Sequence, residues 1–227
     1  MGWRRNAVAV SVSISAALAS LAAATPAYAQ AKKPAARAAS APASAATTGK
    51  VAAAEYGERF RTVCAACHGA NGRSDIAGVP VLAGQPSLYV ITQLFLFREG
   101  RRNNEAMIAL AKPMQDADLR GFSDFIGTLP PVPAPAASAP LDAARMSKGQ
   151  ALAQQHKCVF CHGADLSGGQ GVARIGGQKE DYVRTTLHGF KSGDRPGYTR
   201  AMTEALSQVP AADLDVLAYF VANFTAK

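Results

Sequence analysis

Every cysteine of this 227-residue chain falls in one of two copies of a five-residue pattern, Cys64-Ala65-Ala66-Cys67-His68 and Cys158-Val159-Phe160-Cys161-His162. Two thiols three positions apart lie about one helical turn from each other. That spacing lets each form a thioether with one of the two vinyl groups of a haem. The histidine that follows sits beneath the ring, where it serves as the proximal ligand of the iron. The pattern therefore predicts two covalently attached haem c groups, held by Cys64, Cys67, Cys158 and Cys161, with His68 and His162 on the irons. A four-thiolate zinc site would keep its two cysteine pairs roughly 15–20 residues apart, whereas a whole domain's length separates Cys67 from Cys158. A thioredoxin-type redox pair, or two disulfides, leaves both trailing histidines without a role.

The elements that must position these groups are also present twice. Gly57 with Phe60 precedes the first motif, and Gly149 with Leu152 precedes the second, two positions farther away. After the motifs, Leu82-Ala83-Gly84-Gln85 matches Ile175-Gly176-Gly177-Gln178, Tyr89-Val90 matches Tyr182-Val183, and Leu94, Phe97 and Gly100 match Leu187, Phe190 and Gly193. Asp118-Leu119, Phe122, Phe125 and Ile126 match Asp213-Leu214, Leu217, Phe220 and Val221, with apolar positions recurring as on one buried helix face. Each copy reads as a helix entering the haem motif, a Gly-rich loop, a middle helix from about Ser87 or Glu180, another loop and a closing helix. Strand-like alternation is missing, so the fold class is all-α.

A haem with one protein ligand is open at its sixth position, and the repeat selects the residue that closes it. Met202 is the one methionine after the second motif, and it stands eleven residues before Asp213. Met107 stands eleven before Asp118, whereas Met114 aligns with the aliphatic Val209. Met107 and Met202 are therefore the expected axial ligands, set in otherwise polar, irregular loops; Met114 and Met146 are assigned to packing. His156 and His188 do not recur in the first copy and read as structural or surface residues.

Composition sets the boundaries. Arg4 and Arg5 precede an apolar run from Ala7 to Ala24, and Ala27-Tyr28-Ala29 then supplies a small-x-small cleavage pattern. Residues 1–29 are thus expected to be a cleaved signal peptide directing the chain to the periplasm, with an uncleaved anchor as the alternative. Residues 30–50, nearly all Ala, Lys, Pro, Ser and Thr, form an expected disordered leader. A Pro/Ala linker over 130–140 separates a first domain at 51–129 from a second at 141–227. The formal charge of +8 is concentrated at the N-terminus: residues 51–130 hold eight basic and eight acidic side chains, and residues 141–227 hold ten and eight. That distribution excludes a nucleic-acid-binding face.

The paired motifs, the loops at Gly84-Gln85 and Gly177-Gln178, and the Tyr…Leu…Phe…Gly-x-Arg segments ending at Arg102 and Arg195 together resemble the tandem dihaem class I cytochromes c of the cytochrome c4 type. The likeness covers nearly all of residues 51–227. It implies two His/Met-ligated haems in two cytochrome c domains related by a pseudo-twofold axis, close enough for electrons to pass between them. Pro80 looks like the family's proline whose carbonyl orients the haem histidine, but its counterpart is Ala173, so the second loop is expected to be less rigid. The leader is a further departure, read as a tether or a membrane or cell-wall contact. The implied role is a periplasmic electron carrier between a quinol-oxidising complex and a terminal oxidase. The alternative is an electron-accepting subunit of a sulfide- or alcohol-oxidising dehydrogenase. A dihaem peroxidase-like enzyme needs one displaceable iron ligand, which two repeat-equivalent methionines argue against.

Overall fold

The structure is a computed structural model that describes residues 54–132, 140–195, 197 and 199–225. The expected signal peptide, the leader and most of the linker lie outside those residues. Helix α1 runs through the first haem motif: an α-helical stretch over 54–59 passes into a π-helical turn, Phe60–Cys64, and returns to α-helix at Ala65–His68. It is followed by α2 (Ser87–Arg98), α3 (Glu105–Ala111) and α4 (Asp116–Thr128). The second copy consists of α5 (Ala143–Gln155), α6 (Cys158–His162), α7 (Glu180–Ser192), α8 (Ala201–Ser207) and α9 (Ala211–Ala222). Among the described residues there is no strand, only an isolated bridge between Gly169 and Val172. The all-α class is therefore as expected, and the middle helices begin at the expected residues.

The two-residue offset before the second motif has a visible consequence. In the first copy the helix enters the motif without a break, accommodating the register in its π turn. In the second, the helix stops, Lys157 takes a left-handed conformation (φ 57°), and a new helix starts at Cys158. The methionine segments also differ from expectation. Met107 and Met202 lie on the short helices α3 and α8, not in irregular loops. The first of these is set by Asn104, whose side chain accepts the Met107 N–H at 2.9 Å as an N-cap. A seven-residue helix makes only two turns, too few for a period to be read from sequence.

Each copy buries its own cluster. Phe60, Val90, Leu94, Leu119, Phe122 and Ile126 form the first. Leu152, Val183, Leu206, Leu214, Leu217 and Phe220 are central to the second. Helix α2 packs on α3 and α4, and α9 packs on α5 and α7. The entering helices cross the closing helices at glycine: a Cβ on Gly57 would stand 3.0 Å from the Phe125 ring, and one on Gly149 only 2.3 Å from Phe220 Cβ. These are repeat-equivalent contacts, so the crossing is the same in both copies. The described residues all belong to one compact unit. No helix among them is long and apolar enough to cross a membrane.

Candidate haem sites and the contacts that join them

Each motif ends its helix on a histidine followed by glycine at positive φ, 75° at Gly69 and 83° at Gly163, which turns the chain sharply away. The returning loop passes beneath the histidine. His68 Nδ1 donates to the Pro80 carbonyl at 3.1 Å, and His162 Nδ1 donates to the Ala173 carbonyl at 2.9 Å. Both rings are buried, 7% and 9% exposed, and burial pushes both imidazoles below their ordinary basicity. A neutral ring that spends its Nδ1 proton on a carbonyl presents the Nε2 lone pair as a ligand. Where Pro80 supplies stiffness in the first loop, the second is tied by reciprocal backbone bonds between Gly169 and Val172, at 3.0 and 2.8 Å. The loop with alanine is thus braced by hydrogen bonds in place of a ring.

All four cysteines are free; Cys64 and Cys158 are half-buried, while Cys67 and Cys161 are exposed. Burial pushes the Cys64 thiol up to about 11 and raises that of Cys158. Among the described residues no three His, Cys, Asp or Glu side chains gather as a metal cluster, so the two thiol pairs do not combine into a zinc site. The donor set fits haem c: two adjacent unpaired thiols, a neutral buried histidine with its outer nitrogen committed, and apolar surroundings, each present twice.

Met107 packs against the same apolar cluster as Cys64, and Met202 against the same cluster as Cys158. Met114 also touches the first cluster, so packing alone does not separate it from Met107. The backbone does distinguish their positions. The Met114 N–H donates to Ala111 at 2.9 Å as the Val209 N–H donates to Leu206 at 3.1 Å, which puts Met114 and Val209 at the same turn of the two copies. His188 forms an exposed pair with Asp215 at 3.1 Å, and His156 follows the last residue of α5.

The loops that serve the histidines also join the two copies. The Gln85 side chain pairs with the backbone of Arg174, and the Gln178 side chain pairs with the backbone of Val81. Asp181 accepts the Gly78 N–H at 2.6 Å, and the Lys179 ammonium donates to the Ile76 carbonyl. Arg102 Nη2 and Arg195 Nη2 both donate to the Tyr182 hydroxyl, at 2.8 and 3.2 Å. Burial alone would raise the Tyr182 hydroxyl, but the two guanidinium groups outweigh it and bring it down to about 8. The sequence marks Gln85, Gln178, Tyr182, Arg102 and Arg195 as repeated residues. It gives no sign that Gln85, Gln178 and Arg102 reach across to the other half, because those partners lie 80 to 97 residues away, whereas Arg195 meets Tyr182 within its own half.

The cytochrome c family model matches residues 53–129. A cytochrome c4 of Thiocapsa roseopersicina is 33% identical over 64% of this chain and 80% of its own length. The chain belongs to the cytochrome c4 family. It is accordingly a dihaem c-type cytochrome that transfers electrons, with covalently bound haem. A thiosulfate dehydrogenase electron acceptor of Thiomonas intermedia is 32% identical over 66% of this chain and 77% of that protein. The crystal structure of reduced cytochrome c4 from Pseudomonas stutzeri shares the fold, with a TM-score of 0.66, 24% identity, and coverage of 76% of this chain and 98% of that one.

Proposed function

We propose that the cytochrome is an exported carrier of single electrons between redox proteins, built as two cytochrome c domains at 51–129 and 141–227, with His68 and Met107 on one iron and His162 and Met202 on the other. The observation that carries this reading is the doubled arrangement of a buried histidine, bonded through Nδ1 to a loop carbonyl, beside two free thiols. Haem c, when bound, supplies a one-electron iron couple. The chain's residues do the rest. The thiols of Cys64, Cys67, Cys158 and Cys161 hold the group covalently, which suits small domains with modest cores. The carbonyls of Pro80 and Ala173 fix the imidazole planes. The thioethers of Met107 and Met202 would complete the ligand set and supply soft donors that favour the reduced iron. With both sites filled, no position is left for a substrate, and the chain acts as a carrier, not an enzyme.

The N-terminal run and its cleavage pattern support export to the periplasm, where covalent attachment protects against loss of the group. Electrons then pass from a quinol-oxidising complex to a terminal oxidase. A second reading, acceptor for a periplasmic dehydrogenase, is favoured by the likeness to the Thiomonas intermedia electron acceptor. Stopped-flow reduction of the oxidised cytochrome separates the two. Rapid reduction by a quinol-oxidising complex with its quinol, and not by thiosulfate dehydrogenase with thiosulfate, supports the shuttle; the opposite preference supports the second reading. Reduction by neither partner contradicts both.

A further inference from the structure

Gln85 and Gln178 occupy the same position of the two copies, and each is only 6% exposed. Gln178 Oε1 accepts the Val81 N–H at 2.8 Å while its Nε2 donates to the Val81 carbonyl at 2.9 Å. Gln85 Oε1 accepts the Arg174 N–H at 3.1 Å while its Nε2 donates to the Arg174 carbonyl at 2.7 Å. The exchange is reciprocal: each half's glutamine clamps one residue of the other half's loop. That residue is not arbitrary. The Val81 N–H belongs to the same planar peptide as the Pro80 carbonyl, which accepts from His68 Nδ1. The Arg174 N–H belongs to the same peptide as the Ala173 carbonyl, which accepts from His162 Nδ1.

A peptide whose N–H donates is polarised, and its carbonyl becomes a stronger acceptor; in a buried setting such chains reinforce one another. We propose that Gln178 is a positioning residue for His68, and Gln85 for His162, each acting across the interface through a single peptide group to strengthen the hydrogen bond that sets the basicity of the other half's haem ligand. A stronger Nδ1–H···O=C bond gives the imidazole more anionic character, which favours the oxidised iron and lowers its potential. Each haem is thus tuned by the domain it does not belong to, and a shift of one half against the other alters both potentials. The inference rests on His68 and His162 being the iron ligands.

The test is proton exchange at the two histidine Nδ1–H groups in the reduced holoprotein, followed by NMR together with the potential of each haem. Gln178→Leu is expected to speed exchange at His68 about tenfold, leave His162 unchanged, and raise the potential of the haem bound at His68. Gln85→Leu is expected to do the mirror image. Asp181→Asn, which weakens another contact between the halves without reaching either peptide, is expected to change neither exchange rate. Should the leucine variants fail to take up haem, Gln178→Glu and Gln85→Glu retain the acceptor oxygen and are expected to slow the same crossed exchange. Effects in the glutamine's own half, equal effects on both histidines, or no effect overturn the inference. Iron-bound histidines carry ring protons displaced far upfield by the haem; if that displacement is missing, the ligand assignment fails, not the relay alone.

Discussion

The cysteines and histidines are the residues whose proposed roles follow most directly from spacing. Met114 and Met107 differ in a subtler way. Both touch the first apolar cluster, and only the shared turn of Met114 and Val209 distinguishes them. Met114→Leu, which conserves volume, is expected to cost less than about 1.5 kcal/mol and to leave the iron ligation untouched, as measured by denaturant midpoint and by the absorption of the oxidised protein. At the start of α4, the Asp118 carboxylate accepts the Gln115 N–H at 2.9 Å and the Arg59 guanidinium at 2.7 Å. The Gln115 N–H and Arg59 together hold its carboxyl below the usual carboxylate range. A lowered carboxyl contributes stability above its ordinary value near pH 4 and loses that contribution as the pH falls through the lower folded value. Asp118→Asn is therefore expected to be less stable than the parent by about 1 kcal/mol at pH 7. The gap should close on acidification below about pH 4; thermal melts across pH 7 to 3 would check this, and a gap that widens in acid would contradict it.

At the scale of elements, the crossing of entering and closing helices is governed by the missing side chains of Gly57 and Gly149. Gly149→Ala would drive a methyl to 2.3 Å from Phe220 Cβ, on an atom that cannot rotate away. The expected cost is roughly 1–3 kcal/mol. Gly57→Ala meets the edge of the Phe125 ring at 3.0 Å, which can yield, so its cost should be the smaller of the two. Paired urea titrations decide this. The long helices were legible because their apolar residues recur at helical spacing and recur again in the second copy, as Leu119, Phe122 and Ile126 do against Leu214, Leu217 and Val221. The short helices under Met107 and Met202 were not, since seven residues make only two turns, too few to establish a period. Nor was the break at Lys157: the sequence records a two-residue offset, but not whether a π turn or a left-handed residue absorbs it.

For the whole molecule, the repeat announced two equivalent halves without saying how they touch. Gln85 and Gln178 find their partners far away in sequence, as Arg102 finds Tyr182, and the hydrogen bonds go to backbone atoms or to a shared hydroxyl, which leave no compositional trace. Tyr182→Phe removes the acceptor for Arg102 and Arg195, leaving the guanidinium of Arg102, which is 9% exposed, short of a partner. The expected loss is about 1–3 kcal/mol. It should appear as unfolding that splits into two steps when each haem's absorption is followed separately; a single transition at the parent midpoint would contradict it. Closure of both irons by methionine is tested by the visible spectrum of the oxidised protein. A thioether-to-iron band is expected at the red end with the intensity of two haems, halved in Met107→Ala and in Met202→Ala, abolished in the double variant and unchanged in Met114→Ala. Loss of the band in Met114→Ala but not in Met107→Ala, or a high-spin haem in the parent protein, would contradict it.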